Sequence, residues 1–224
     1  MISCVICAYN EASRIGNVLR VVVGHPSLDE VVVVDDGSQD GTRDVVRGFP
    51  QARLVALERN VGKSKAFIHG VLQAKGDFIM LLDADLENLS SSDVAALSEP
   101  VLSGKADWSI SLRRNAPYTF RIIGIDFLSG ERLVPRRLIT DYQKEIAALP
   151  SYGLETFMNK YLINRGLRLA IVPFDTVRNT RKREKVGWWN GTVADWKMAI
   201  QIVKITSFFG VIRQIYAMLK LSQR

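Results

Sequence analysis

The sequence predicts an α/β fold in which a mostly parallel sheet is flanked by helices. Three observations lead to this fold class. The first half of the chain alternates short apolar runs with segments of helical spacing, the runs are rich in large or β-branched residues, and polar, acidic or glycine residues follow them. Such strands are buried on both faces, as in parallel sheets covered by helices. With 224 residues, 47% of them hydrophobic and 24% charged, the chain fits one sizeable globular core.

The individual elements can be placed in order along the chain. Strands are predicted at residues 2–7, 31–34, 53–57, 78–82, 108–112 and 168–172, and helices at residues 11–23, 63–74, 93–102 and 150–166, with another helix opening at residues 40–42. From Trp196 onward, apolar residues recur at helical spacing with lysines and arginines between them. We therefore expect one domain over residues 1–187 and an amphipathic helical C-terminal extension over residues 188–224.

The residues that follow the first four strands carry the chemistry. These segments are Ala8-Tyr9-Asn10-Glu11, residues 35–38, residues 58–63 and Asp83-Ala84-Asp85. Ligands of parallel sheets bind outside the carboxyl ends of the strands, so we expect these residues at one edge. Two neighbouring carboxylates at the tip of a buried strand repel each other unless a cation offsets them. Mg²⁺ or Mn²⁺ is the simplest such cation, and its preference for phosphate oxygens indicates a nucleoside-diphosphate ligand.

Charge and cysteine content narrow the function classes. The net charge of +7 favours an anionic partner such as a phosphate or an anionic membrane surface. Nucleic acid is not expected, because no stacking aromatic residues alternate with the basic residues near position 180. Cys4 and Cys7 lie in the first strand and are expected to be core cysteines. Because Met1 leads straight into that strand without a secretion signal, we expect a cytoplasmic protein.

Taken together, the strand-end motifs resemble the successive signatures of inverting family-two glycosyltransferases, which have the Rossmann-like GT-A fold. The match runs from Tyr9-Asn10-Glu11 through residues 34–42 and 60–63 to Asp83-Ala84-Asp85. A weaker resemblance continues at residues 129–132, 152–155 and 178–187. This part is most similar to polyprenyl-phosphate sugar transferases of the dolichyl-phosphate mannose synthase type. The resemblance implies a hexosyltransferase whose donor is a UDP- or GDP-sugar.

The resemblance also implies a role for each matching residue. Those expected to bind the nucleotide sugar are Ala8, Tyr9, Glu11, Asp36, Lys63, Asp83 and Ala84. Those expected near the metal, either Mg²⁺ or Mn²⁺, are Asp83, Asp85 and Glu87, with Asp85 as the direct ligand. Asp85, Arg132 and Glu155 are the expected catalytic residues.

The acceptor is inferred from one departure from the family pattern. Relatives that use a sugar hydroxyl commonly place a Glu-Asp pair at a helix start, where this chain has Glu155-Thr156 and lacks the second acid that serves as base. A polyprenyl phosphate is already ionised and needs no base, so it is the favoured acceptor. Arg132, with Arg113 or Arg114, is expected to bind its phosphate, and Glu155 to orient Arg132 or a loop.

Three alternatives stay open. The same donor chemistry can serve a hydroxyl acceptor on a glycan or glycolipid, and the chain can instead bind a nucleotide sugar without turnover. The C-terminal helix is interrupted by Lys204 and Arg213, so it is expected to lie in the plane of a membrane surface rather than to cross it. Packing of that helix on the domain or on a second subunit is the competing interpretation. The expected location is therefore peripheral, on the cytoplasmic face of a membrane.

Overall fold

The computed structural model describes residues 1–149, 153–179 and 208–222. Within them, the strands are β1 Ile2–Ala8, β2 Glu30–Asp35, β3 Ala52–Ala56, β4 Phe78–Asp83, β5 Leu86–Glu87, β6 Trp108–Arg113, β7 Arg132–Pro135, β8 Leu169–Phe174 and β9 Arg178–Asn179. The helices are α1 Ile15–Val22, α2 Thr42–Arg47, α3 Lys63–Gln73, α4 Ser91–Leu102, α5 Tyr118–Ile123, α6 Arg137–Thr140, α7 Gln143–Ala147, α8 Gly153–Arg165 and α9 Phe208–Ser222.

Seven of these strands form one sheet in the order β3-β2-β1-β4-β7-β6-β8, and β5 pairs with β9 in a separate two-stranded ribbon. All neighbours in the sheet are parallel except β7, which runs antiparallel to both β4 and β6. The mostly parallel sheet flanked by helices is thus confirmed. The sequence pattern missed β7 because the strand has only four residues, beginning at Arg132 and ending at Pro135.

Helices on the two faces of the sheet bury two apolar clusters. One contains Val5 and Val32 with α3, and the other contains Cys4 and Ile6 with α1. Cys4 and Cys7 are free thiols on opposite faces of β1, and Cys7 packs against the first cluster. Burial raises the pKa of Cys7 to about 12, so this thiol stays protonated at neutral pH. The prediction of core cysteines is confirmed.

The C-terminal helix α9 packs one face on α8 and β8. Met218 and Gln214 are buried in this contact, whereas Phe209, Ile212 and Tyr216 are exposed on α9. Packing on the domain, one of the two readings of this helix, is therefore observed for residues 208–222. The rest of the predicted extension, residues 188–207 and 223–224, and most of the basic segment 178–187 lie outside the described residues. Of the helices that are described, none has the length and hydropathy to span a bilayer.

Candidate active site

The carboxyl ends of β1, β2 and β4 lie side by side, because Ala8 pairs in register with Asp35 and Cys7 with Asp83. A cavity of about 320 Å³ opens at this edge of the sheet. Its lining consists of Cys7, Ala8, Tyr9, Glu11, Asp36, Asn60, Gly62, Lys63, Asp83, Ala84 and Asp85. All the residues expected to bind the nucleotide sugar are therefore brought together, and Asp85 lies with them.

Asp36 holds the wall of the cavity formed by residues 59–62. Its Oδ1 accepts a hydrogen bond of 2.7 Å from the amide of Val61, and its Oδ2 accepts one of 3.0 Å from the amide of Gly62. Gly37 allows the close approach of this loop, since a Cβ at position 37 would lie 2.5 Å from the carbonyl carbon of Arg59. The buried Asp36 carboxylate thus fixes the loop that leads into α3 while it lines the cavity.

Lys63 stands between two carboxylates at the cavity floor. Its Nζ donates to Asp83 Oδ1 at 2.9 Å and to Glu155 Oε1 at 3.2 Å. Burial alone would lower the pKa of Lys63, but the charges of Asp83 and Glu155 raise it well above its ordinary value. The ammonium is therefore charged at physiological pH. It brings together the end of β4 and the first turn of α8, which are far apart in sequence.

Asp83 is enclosed from its other side as well. Its Oδ2 accepts a hydrogen bond of 3.0 Å from Asn179 Nδ2, and a Cβ at Gly130 would lie only 2.7 Å from the same oxygen. Burial would raise the pKa of Asp83, but Lys63 and then Arg113 lower it to about 2. The carboxylate is thus ionised and held in one orientation by groups from three separate segments.

The short ribbon of β5 and β9 ties the acidic loop to the segment that leads toward residue 180. Leu86 pairs with Asn179 and Glu87 with Arg178. Glu87 also accepts a hydrogen bond of 2.6 Å from Arg178 Nε, and Asn115 Nδ2 donates to the carbonyl of Asn179 at 3.0 Å. Glu87 thus forms an ion pair with Arg178 and lies outside the cavity lining, and its expected place near the metal stays a prediction.

Residues 3–144 match the family model described as glycosyl transferase family 2. The chain belongs to this family. Among characterised relatives, the undecaprenyl-phosphate 4-deoxy-4-formamido-L-arabinose transferase of Aeromonas hydrophila is 36% identical over 124 residues, which are 51% of this chain and 37% of the relative. The dolichyl-phosphate beta-glucosyltransferase of Trichomonas vaginalis is 36% identical over 94 residues, which are 36% of this chain and 28% of the relative. The aligned region thus spans well under half of either relative.

Solved structures agree on the fold of this family-two glycosyltransferase. Glucosyl-3-phosphoglycerate synthase from Mycobacterium tuberculosis, in complex with Mn²⁺, UDP and glucosyl-3-phosphoglycerate, superposes with a TM-score of 0.71 at 23% identity. The match covers 96% of this chain and 80% of that one. The same enzyme with Mg²⁺ and UDP gives a TM-score of 0.72 at 23% identity, over 96% of this chain and 79% of that one. The expected GT-A fold is confirmed.

The acidic residues of the cavity suit a hard divalent cation that keeps some of its coordinating water molecules. Within the described residues, no three His, Cys, Asp or Glu side chains converge into a ready-made metal site. Asp83 and Asp85 nevertheless both line the cavity. Two carboxylates beside an open cavity fit Mg²⁺ or Mn²⁺, since these ions complete their coordination with water and phosphate oxygens.

Arg132 is not among the residues that line the cavity, and its expected role in binding an acceptor phosphate stays a prediction. The side chain is fully buried, and its guanidinium donates to the carbonyls of Ser129 and Phe127 and to Asn159 Oδ1. It also donates, at 3.4 Å, to the carbonyl of Glu155. These bonds join the 127–132 segment to α8, so Arg132 shapes the wall behind the site. The pattern of charges alone could not show this, because a buried and an exposed arginine read alike in sequence.

Two groups around Asp83 escaped sequence reasoning. Asn179 stood inside the 178–187 segment that resembled the family, but it lies 96 positions from Asp83 and nothing in that segment indicated the contact. Gly130 stood inside a segment that resembled the family, but nothing in that segment indicated a contact with the Asp83 carboxylate. The contact between Lys63 and Glu155, 92 positions apart, likewise appears only in the fold.

Proposed function

We propose that this protein transfers a sugar, with inversion, from a nucleoside-diphosphate sugar to a polyprenyl phosphate, using Mg²⁺ or Mn²⁺. The observation that carries the proposal is the single cavity that gathers the strand-end residues from Ala8 to Asp85. Family membership and the polyprenyl-phosphate substrates named for the relatives support the acceptor class.

The donor half of the reaction takes place over Asp83 and Lys63. Asp36 and Gly62 form the wall for the nucleoside, and Tyr9 is exposed at the cavity mouth. Asp83 and Asp85 would hold a divalent cation, which would supply charge stabilisation for the departing nucleoside diphosphate. Lys63 contributes a second fixed positive charge at the same place, where negative charge grows during the displacement.

In this proposal Arg113, rather than the buried Arg132, binds the phosphate of the acceptor. Arg113 ends β6, its side chain is 15% exposed, and its charge affects the pKa of Asp83. A guanidinium at this position can bind a phosphate monoester by a planar pair of donors. Direct attack by an already ionised phosphate oxygen on the anomeric carbon, from the side opposite the leaving diphosphate, requires no proton removal and inverts that carbon.

A lipid acceptor also agrees with the surface next to Arg113. The helix α5 begins five positions after Arg113 and has no buried residue. Its Tyr118 and Ile122 are 76% and 68% exposed, and Arg121 is exposed beside them. Apolar side chains flanked by a basic residue suit the interface of an anionic bilayer. We propose that α5 faces the lipid from which the acceptor phosphate is presented.

The outer face of α9 supplies a second surface of the same kind. Phe209, Ile212 and Tyr216 are exposed there, and Arg213 and Lys220 are exposed on the same helix. We propose that this face rests in the plane of a cytoplasmic membrane surface while the opposite face packs on the domain. A second subunit on the same face is the competing partner, and the oligomeric state of the lipid-free protein decides between them.

A hydroxyl acceptor remains the alternative within the same chemistry. It would need a general base, for which Glu155 is the acid at the expected place. Glu155 Oε1 instead accepts from Lys63 at 3.2 Å, and only 9% of the Glu155 side chain is exposed. A carboxylate bound to an ammonium is a poor proton acceptor, so this contact favours the phosphate nucleophile.

The test is a screen of UDP- and GDP-sugars with Mn²⁺ or Mg²⁺ and two matched acceptors, undecaprenyl phosphate and undecaprenol. Transfer to the phosphate alone, with inverted configuration at the anomeric carbon by NMR, supports the proposal. Equal transfer to undecaprenol favours a hydroxyl acceptor. Nucleotide-sugar binding without turnover for any acceptor or water favours the non-enzyme alternative.

A further inference from the structure

A cluster of buried charged side chains lies next to Gly130, the residue that closely approaches Asp83. It consists of Arg113 at the end of β6, Asp126 in the loop after α5, and Glu131 just before β7. Arg113 Nη2 donates to Asp126 Oδ2 at 3.0 Å, and Arg113 Nε lies 3.4 Å from Glu131 Oε2. Asp126 and Glu131 are 1% and 0% exposed, and neither has a place in the donor or acceptor chemistry described above.

Glu131 is held firmly although it is wholly buried. Its Oε2 accepts hydrogen bonds of 2.8 Å from Ser111 Oγ and 2.6 Å from Ser129 Oγ. Its Oε1 is buried and has no hydrogen-bond partner in the part of the chain that the structure describes. A buried carboxylate with one unsatisfied oxygen costs stability, so a purely structural role would be served better by an apolar side chain. The nearest compensating charge is that of Arg113.

Arg113 therefore stands among three carboxylates. Burial would lower its pKa, but the charges of Glu131, Asp126 and Asp83, in that order of effect, raise it. Both buried acids lie within 3.4 Å of the guanidinium. Nη2 is bonded to Asp126, whereas Nε is buried without a hydrogen-bond partner among the described residues and lies 3.4 Å from Glu131 Oε2.

We propose that Asp126 and Glu131 are positioning residues that hold the Arg113 guanidinium back from Asp83. This inference rests on the proposed function, in which Asp83 serves the donor and Arg113 serves the acceptor phosphate. If either buried acid loses its charge, the attraction that keeps Arg113 in place weakens. The negative charge of Asp83 then attracts the guanidinium with less opposition. The guanidinium then moves toward Asp83, competes with Lys63 and with a metal ion for that carboxylate, and moves away from the acceptor phosphate.

If this role is correct, a second substitution should restore the nucleotide affinity that the first one lowers. A loss of stability alone cannot produce such a recovery. Glu131→Gln keeps the shape of the side chain and can still bond to Ser111 and Ser129, so the fold is retained. We expect it to weaken binding of UDP with Mn²⁺ about tenfold, because Arg113 then occupies Asp83. Adding Arg113→Gln removes the competing cation while leaving a donor for Asp126. The double variant should therefore regain the wild-type affinity for UDP with Mn²⁺.

The experiment measures calorimetric affinity for UDP with Mn²⁺, and for GDP with Mn²⁺ in parallel, in wild type, Glu131→Gln and Arg113→Gln/Glu131→Gln. Asp126→Asn, in the loop after α5, should cause the same loss of nucleotide affinity. It replaces Glu131→Gln if that variant fails to fold. Asp107→Asn is the matched control, since it breaks a bidentate pair with Arg168 in which one bond is 3.0 Å. That pair lies at the opposite end of β6, so nucleotide affinity should not change.

Each outcome bears on the inference. A loss in Glu131→Gln that the double variant reverses supports it. Wild-type affinity in both Glu131→Gln and Asp126→Asn, or a loss that Arg113→Gln deepens instead of reversing, overturns it. In the transfer assay, both single variants should raise KM for undecaprenyl phosphate about tenfold, with a smaller effect on kcat. The binding measurements need no turnover, so absence of transfer by the wild type contradicts the proposed function and leaves the positioning role to be decided by affinity.

Discussion

Substitution of Gly130 by alanine tests how closely the orientation of Asp83 is controlled. A Cβ at this position would lie 2.7 Å from Asp83 Oδ2 and 2.8 Å from Oδ1. To reach an ordinary contact distance of about 3.4 Å, the carboxylate must retreat by about 0.7 Å. The bonds that hold it are 2.9 Å from Lys63 and 3.0 Å from Asn179, so a shift of that size takes at least one of them out of hydrogen-bonding range.

The expected loss follows from that displacement. Overpacking of this kind typically costs about 1–3 kcal/mol of stability. A shift of about 0.7 Å in a group that binds the donor should lower kcat/KM by about 10–100-fold, since a 1 Å misplacement can cost about 100-fold. Affinity for UDP with Mn²⁺ should fall as well. The assays are initial rates of sugar transfer and calorimetric titration of UDP with Mn²⁺.

Gly76→Ala is the matched control. A Cβ there would lie 2.6 Å from the amide nitrogen of Ser3 and 2.7 Å from its Oγ, so the overlap is equally severe. Gly76 precedes β4, at the opposite end of the sheet from the cavity. This variant should lose stability while it keeps its kcat/KM. Unchanged kcat/KM in Gly130→Ala, or an equal loss in both variants, would refute the reasoning.

Three further predictions concern the metal, the pH dependence and the membrane. Asp85→Asn should lower transfer by about 10²–10³-fold and remove the dependence of UDP binding on Mn²⁺, while thermal unfolding stays near that of wild type; metal-dependent UDP binding in this variant would contradict the assignment. The pKa of Asp83 falls from 3.8 in the unfolded chain to about 2 in the fold, so its contribution of up to about 2 kcal/mol is complete above pH 4 and is lost as the pH falls through 2. Urea unfolding between pH 4 and pH 2 should therefore show a weaker pH dependence in Asp83→Asn, and an unchanged slope would count against the Lys63 pair. Ile212→Ser/Tyr216→Ser on α9 should reduce co-sedimentation with vesicles containing anionic lipid, with the melting temperature unchanged; equal sedimentation would remove α9 from the membrane surface.

The sequence by itself determined the fold class, the family and the edge of the sheet where the site lies. These depend on local patterns: the apolar runs, the helical spacing between them and the residues that follow each run. Asp83-Ala84-Asp85 could be recognised because both the strand and its acidic tip are contiguous in the chain. The residues from Ala8 to Lys63 were likewise each next to a predicted strand, and parallel strands bring their carboxyl ends together.

Only the tertiary structure decided which charges meet. Lys63 reaches Glu155 across 92 positions and Asn179 reaches Asp83 across 96, and no local pattern encodes such pairs. Burial also separates Arg132, which is enclosed by backbone carbonyls, from Arg113, which keeps part of its side chain exposed. The physical reason is that the energy of a charge depends on its solvent exposure and its neighbours, both of which are properties of the packed chain.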